Sequence, residues 1–469
     1  MSAKNWTTID DIAEVFDGPH ATPKKTDIGP FFLGIASLSS GSLNLSQSAH
    51  VSEKDFKKWT RRVTPQEGDV VFSYETRIGE AAIIPKGVRC CLGRRMGLLR
   101  PKRDKVIPEY LLYAYLAPAF QSVIKARTVH GSTVDRISLK ELPDFPIQVP
   151  PIEEQKYVVN VLSILDEKAE INLQMNRNLE QIAQALFKSW FVEFEPVKAK
   201  MAVLEAGSTT EDAERAAMQA ISGKSDAELD SLRTQNPEQH DNLARIAALF
   251  PSAMMESELG EIPEGWSVGQ ISDVATLRTR SIKPSDASDE VWEHYSIPAY
   301  DEGKYPSFDR GDEIKSNKYQ VPNSAVLVSK LNPRFPRIWW PLVFNSKLSV
   351  CSTEFMPFVP MSTEWRGFVA GLVLSEPFQR SMLERVSGST GSRQRAQPKE
   401  VIKMPVVLPE SDLIEEFSRR VTPLFQKSAE NVKESRILSE LRDTLLPKLL
   451  SGELTLSEVE KEVPEAADV

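Results

Sequence analysis

Residues 107–133 read IPEYLLYAYLAPAFQSVIKARTVHGST, and residues 363–390 read TEWRGFVAGLVLSEPFQRSMLERVSGST. Each stretch holds an apolar run of helical length, a proline break, a second amphipathic run, and the same Gly-Ser-Thr. A residue before proline is pushed out of the helical region, so each stretch predicts two helices rather than one. Working outward, TPQEGDVVFSY (64–74) matches QVPNSAVLVSK (320–330), a turn followed by a short β-branched run that reads as a buried strand. Further out, WTTIDDIAEVFDG (6–18) matches GWSVGQISDVATL (265–277), and the proline-rich strands LPDFPIQVPP (142–151) and VIKMPVVLPE (401–410) close the two blocks. Five elements recur in one order, about 257 residues apart at the Gly-Ser-Thr. That offset is far longer than a solenoid period and indicates duplication of a whole domain with its following helix.

After each block comes a long helical stretch. Pro150 and Pro151 stop the first strand, and Glu153 and Glu154 favour a helix's first turn. From Ile152 to Glu195 there is no Pro or Gly, a length of roughly 60 Å at about 1.5 Å per residue. Val158, Leu162, Leu165, Ala169 and Asn172 follow coiled-coil spacing, and Met175, Leu179, Ile182 and Leu186 resume it after a shift. In the second copy, Phe417, Val421 and Leu424 begin a stripe that Leu438, Leu441 and Leu445 continue. Pro423 interrupts it, so a short helix is expected before the long one, and Gly452 is the expected C-cap. Trp190, Phe191 and Phe194, near the end of the first helix, suit either a partner interface or packing on the neighbouring domain.

The expected architecture is therefore α+β: two duplicated mixed α/β domains separated by two long helices that form an antiparallel coiled coil. The expected segments are a first domain over 1–152, a central helix over 153–195, a helical linker or insertion over 196–263, a second domain over 264–410, a distal helix over 411–452 and an acidic tail over 453–469.

The 469-residue chain carries a net charge of −9, but the charge is unevenly placed. Residues 1–150 hold 21 Lys and Arg against 16 Asp and Glu, and residues 265–409 hold 18 against 15. The remainder is strongly acidic, so the two repeated blocks are basic islands of the kind that bind polyanions. Three cysteines are too few, and odd in number, for a disulfide framework, and a reduced, cytoplasmic compartment is expected. The start MSAKNWTTIDDIAEV lacks a basic-then-apolar leader pattern, and no apolar run reaches about 18 residues.

Arginine and lysine contact phosphates, and Arg, Asn and Gln read base edges, so the basic and polar residues on inferred loops are the DNA-reading candidates. In the first block they are Lys24, Lys25, Arg61, Arg62, Tyr74, Arg77, Arg94, Arg95, His130, Ser132, Thr133 and Arg136. In the second they are Arg278, Arg280, Lys283, Lys330, Asn332, Arg334, Arg337, Ser389, Arg393 and Arg395. Lys330–Arg337 occupies the repeat position of Tyr74–Glu80, which singles out these two loops.

Four stretches carry a family resemblance: GSTVDRISLKELPDFPIQVPPIEEQ (131–155), ALFKSWFVEFEPV (185–197), SELGEIPEGW (257–266) and LRDTLLPKLLSGEL (441–454). With the duplicated layout, the chain resembles, over essentially its whole length, the specificity subunit of type I restriction–modification systems. The resemblance implies that each half reads one part of a split DNA target and that the helices set the gap between the parts. It also implies two methyltransferase subunits using S-adenosylmethionine, two restriction subunits using ATP and magnesium, no cofactor or metal on this chain, and a bacterial, DNA-associated protein. In the second copy, GSTGSRQRAQPKEV replaces GSTVDRISLKEL and loses its apolar spacing.

A stand-alone methyltransferase or nuclease is the alternative, and the motifs it needs are missing. An adenine methyltransferase carries an Asn-Pro-Pro-Phe-like loop beside the flipped base, whereas Asn332-Pro333-Arg334-Phe335 has Arg at the second Pro position. Gly223-Lys224-Ser225 lacks the preceding glycine of a phosphate loop, where Met218 stands. The histidines and cysteines show no metal-ligand spacing, and adjacent Cys90 and Cys91 read as strand residues. A coiled-coil assembly protein with no DNA role would leave the two basic blocks unexplained.

Overall fold

The computed structural model describes residues 5–39, 41–131, 134–387, 394–451 and 453–454. Gly452 and the tail from residue 455 lie outside the described residues. The chain divides into two units: residues 1–168 with 437–469, and residues 169–436. Each unit therefore combines one repeated block with part of both long helices.

The two blocks share their topology. In unit 1 an antiparallel sheet runs Ala13–Asp17, Met96–Pro101, Val70–Ser73, Ala81–Ile83. In unit 2 it runs Ala275–Leu277, Phe355–Pro360, Val326–Ser329, Ile338–Trp339. Met96 pairs with Ser73 as Phe355 pairs with Ser329, so the register is also repeated. Val70–Ser73 and Val326–Ser329 are buried throughout, which is why both read as unbroken apolar runs without alternation. A second sheet in each unit contains a parallel pair: Lys25–Leu33 with Cys90–Leu92, and Val291–Tyr295 with Ser349–Cys351. Burial pushes the Cys90 and Cys91 thiols up to about 12, as befits strand residues. A closing pair joins Trp6–Thr8 to Pro146–Gln148 and Ser267–Gln270 to Pro405–Leu408.

The quoted stretches form helices Pro108–Leu116 and Pro118–Ala126 in unit 1, and Arg366–Leu374 and Glu376–Glu384 in unit 2. The break falls at Ala117 and Ser375, both extended at ψ 144° and 148° before a helix with proline in its first turn.

The central helix spans Ile152–Phe191 and the distal helix Ser411–Ser451. The central helix stops short of the expected end because the Val192 and Glu193 amides both turn back to the Lys188 carbonyl and Phe194 takes a left-handed conformation (φ 57°). The expected break at Pro423 does not occur. Proline forfeits one amide bond to the Arg419 carbonyl, but it lies on the exposed face while Val421 and Phe425 are buried, and their packing carries the helix through.

Within each unit the two helices pair antiparallel. In unit 1, Val158, Leu162 and Leu165 pack with Leu445, Leu446 and Leu449, and Leu438 and Leu441 lie against the same core. Asp166 accepts from the Tyr113 hydroxyl (2.7 Å) and from Arg442 (3.0 Å), tying the helix pair to the first block. In unit 2, Asn172 lies opposite Glu434 and Ser435, Asn176 opposite Asn431, and Phe187 opposite Phe417.

This overturns the shifted seam expected from sequence. The buried line runs on without a shift through Asn172 and Ala183, whereas Met175 is 39% and Ile182 49% exposed. Leu179 and Leu186 are half-buried. The apolar pattern misled because the true seam is polar at its middle. Asn172 and Asn431 are both buried, with Asn172 Nδ2 donating to Glu434 (2.8 Å) and Asn431 Nδ2 to Asn176 (2.9 Å). A buried asparagine in such a seam favours one register at some expense of stability. Asn172→Leu alone is expected to destabilise unit 2 by about 1–3 kcal/mol, because it strands buried polar partners. Asn172→Leu with Glu434→Leu, which removes both members of the pair, should recover most of that loss in thermal unfolding. A double variant weaker than the sum of its single variants would contradict a polar layer held by mutual pairing.

Residues 196–263 are more than a linker. Helices Glu195–Glu205, Thr210–Ser222, Asp226–Gln235 and Pro237–Ala248 and the hairpin Met254–Ser257/Gly260–Pro263 belong to unit 2. Val197, Ala217, Ile246 and Phe250 join its main core. Trp190, Phe191 and Phe194 pack there too: Trp190 meets Phe250 and Phe417, and Phe194 meets Trp266. They are core residues of this chain rather than a partner surface. Among the described residues no helix is long and apolar enough to cross a membrane.

Candidate nucleic-acid interface

In each unit three elements converge at the end of the buried strand. In unit 1 the loop after Ser73 is closed by the Ser73 amide on the Glu80 carbonyl (3.0 Å), and in unit 2 by the Ser329 amide on the Arg337 carbonyl (2.9 Å). The next residue, Tyr74 or Lys330, makes two further backbone bonds. Its amide donates to Arg95 or Glu354, in the turn before the neighbouring strand. Its carbonyl accepts from Ile137 or Ala396, in the hairpin Thr128–Val129/Arg136–Ile137 or Val386–Ser387/Arg395–Ala396. Loop, turn and hairpin thus meet at one sheet end in both units.

The side chains there differ. In unit 1, Tyr74 is buried and its hydroxyl donates to Asp17 (3.2 Å); burial, then the Asp17 charge, raises its pKa above the ordinary phenol range, so it stays protonated. Asp17 also pairs with His20 (2.9 Å) and Arg62 (3.5 Å). Arg95, at φ 72°, pairs with Glu75 (2.7 Å), and Arg77 pairs with Glu80 (3.0 Å). In unit 2, Asn332 is left-handed (φ 50°) and its amide donates to the Gln394 carbonyl (2.8 Å). Arg337 grips Asp301 with two bonds (2.7 and 2.9 Å), which holds the loop's far end. Arg334 and Phe335 stand exposed at its tip, Phe335 by 64%.

Of the residues expected from sequence, Arg62, Tyr74, Arg77, Arg95 and Arg136 gather in unit 1, with Arg61 and Arg94 their exposed chain neighbours. Lys330, Asn332, Arg334, Arg337 and Arg395 gather in unit 2. Arg278 lies on the same sheet, its amide on the Pro357 carbonyl. Lys24 and Lys25 lie exposed at the start of a strand in the other sheet, and Arg280 bonds through its carbonyl to Gln320. His130 pairs with Asp135 (3.1 Å) in the hairpin loop, and Lys283 with Asp286 (2.9 Å). Ser132, Thr133, Ser389 and Arg393 lie outside the described residues. Sequence reasoning missed the carboxylates Asp17, Glu75, Asp301 and Glu354 that hold these arginines. Nothing in their local sequence separates them from surface acids.

The loop in unit 1 is close-fitted. Gly79 has φ +92°, and a Cβ there would stand 2.2 Å from Gln121 Oε1, while Gln121 Nε2 donates to the Gly79 carbonyl (3.2 Å). Gly79→Ala is expected to loosen residues 74–80 and to lower stability by about 1–3 kcal/mol. Faster hydrogen exchange confined to that loop is the check, and unchanged protection would contradict it. Among the described residues no group of three or more His, Cys, Asp or Glu is placed to hold a metal ion.

A family model for the type I restriction modification DNA specificity domain matches residues 3–181. The specificity subunit of the type I restriction enzyme HindI from Haemophilus influenzae is 30% identical over 380 residues, covering 76% of this chain and 80% of that one. The MjaIX specificity subunit from Methanocaldococcus jannaschii is 24% identical over 423 residues, covering 87% and 83%. Among solved structures, the S subunit of a type I restriction–modification system from M. genitalium aligns over 96% of this chain and 97% of its own, with 17% identity and a TM-score of 0.47. The chain belongs to the family of type I restriction enzyme specificity subunits.

Proposed function

We propose that this chain reads a two-part, asymmetric DNA target, one part with each unit, and carries the other subunits of a type I complex without catalysing a reaction itself. The observation that carries this is the repeated meeting of loop, turn and hairpin with unlike side chains: Glu75-Thr76-Arg77 in unit 1 and Asn332-Pro333-Arg334-Phe335 in unit 2. One scaffold with two different tips suits two different half-sequences. The paired long helices act as the ruler between them. Exposed Ile171, Met175 and Ile182, spaced by four and seven on the central helix, form a second apolar stripe. That stripe suits a helix of a methyltransferase subunit. In this reading two methyltransferase subunits supply S-adenosylmethionine chemistry, and two restriction subunits supply ATP and magnesium chemistry. Purified chain incubated with S-adenosylmethionine and DNA should transfer no methyl group, and adding methyltransferase subunits should start the reaction. Methyl transfer by the chain alone would refute a purely recognising role.

A further inference from the structure

The two reading sites are related by an exchange of charges. Glu75 and Leu331 follow the shared junction residue, and each bridges to the hairpin arginine, Arg136 or Arg395. In unit 2, Arg395 is held by both oxygens of Glu354, at 3.0–3.1 Å from its Nε. In unit 1 the position of Glu354 is taken by Arg95, which turns the other way and pairs with Glu75. Position for position, the carboxylate has moved from turn to loop, and the arginine that uses it from hairpin to turn. Arg136 is left on the exposed side of its strand, with no carboxylate at the place where Arg395 has one, and makes no ion pair among the described residues.

From this difference we infer that Arg136 is the DNA-contacting guanidinium of the first reading site, whereas Arg95 and Arg395 are latches that hold loop, turn and hairpin together. The inference rests on the reading that unit 1 faces DNA. A guanidinium free of carboxylates keeps its planar fork available for a pair of acceptors, either a phosphate or the O6 and N7 of guanine. The latch arginines already spend theirs on Glu75 and Glu354. Among the described residues of unit 2 the equivalent hairpin arginine, Arg395, is already held by Glu354, so contact there falls to other groups, and the two sites use different elements of one scaffold.

The test uses the chain assembled with its methyltransferase subunits, and fluorescence anisotropy on a cognate and a scrambled duplex at two salt concentrations. Arg136→Ala should weaken cognate binding by about 10- to 100-fold, with unchanged thermal unfolding. Arg395→Ala should weaken it less. Arg89→Ala removes an exposed cation elsewhere in unit 1 and should leave it as it is. Loss on the cognate duplex alone identifies a base edge, and Arg136→Lys then fails to rescue. Loss on both duplexes, with a salt slope shallower by about one, identifies a phosphate, and lysine rescues. Binding by Arg136→Ala within twofold of the parent on both duplexes would overturn the inference. Should the parent complex fail to distinguish the duplexes, it is the DNA-reading function that falls.

Discussion

Phe417→Ala is expected to destabilise unit 2 by about 3–5 kcal/mol. Phe417 is wholly buried, with its ring centroid 5.1 Å from Phe191, 5.6 Å from Phe187, 5.7 Å from Trp190 and 6.4 Å from Phe368. These rings come from both long helices and from helix Arg366–Leu374 of the second block, so one side chain joins three elements. The hole cannot close easily. Gly371 already brings its backbone so near that a Cβ there would lie 2.6 Å from Phe187 and 3.1 Å from Phe417, and relaxation would need whole helices to move. Chemical denaturation with a probe in unit 2 gives the measurement. A loss below about 1 kcal/mol would mean that the hub repacks, and that the helices are not anchored to the second block in this way.

The second large effect concerns the tip of the reading loop in unit 2. Replacing Pro333–Pro336 by a Gly-Ser run should abolish discrimination at one half of the target, by about a thousandfold, and leave the other half intact. The reasons are local. The loop's ends are fixed by the Ser329–Arg337 backbone bond and by Arg337 on Asp301, so the fold survives. The tip contributes exposed Arg334 and Phe335, while the prolines limit the conformations it samples. A Gly-Ser run removes both the contacting groups and the preorganisation. Competition binding with duplexes altered in one half at a time measures it. Equal loss at both halves would indicate that the loop supports the assembly rather than reading sequence.

Much of this was legible in the sequence, and the failures have physical causes. The repeat was visible because strand and helix words such as VVFSY and VLVSK are dictated by burial, which both copies share. The equivalence of Tyr74–Glu80 and Lys330–Arg337 followed from their place after those strands. Apolar periodicity points to Met175 and Ile182 as the seam because it cannot reveal a buried line whose middle is Asn172. Their exposed stripe is a second face of the same helix. Intrinsic propensity overstates the effect of Pro423, because it yields to packing when a proline faces solvent. The division of the arginines into latched and free could not be read at all. Arg95, Arg136 and Arg395 look alike in sequence and differ only in which carboxylate the fold brings across from a distant turn.

The most direct measurement is a map of methylated adenines in cells expressing this chain with its methyltransferase subunits, for the parent and for the Pro333–Pro336 variant. The expected map is a two-part target with unequal halves and a fixed gap, and the variant relaxes one half alone. A single continuous palindrome, or a variant that relaxes both halves together, would contradict two independent reading sites on one chain.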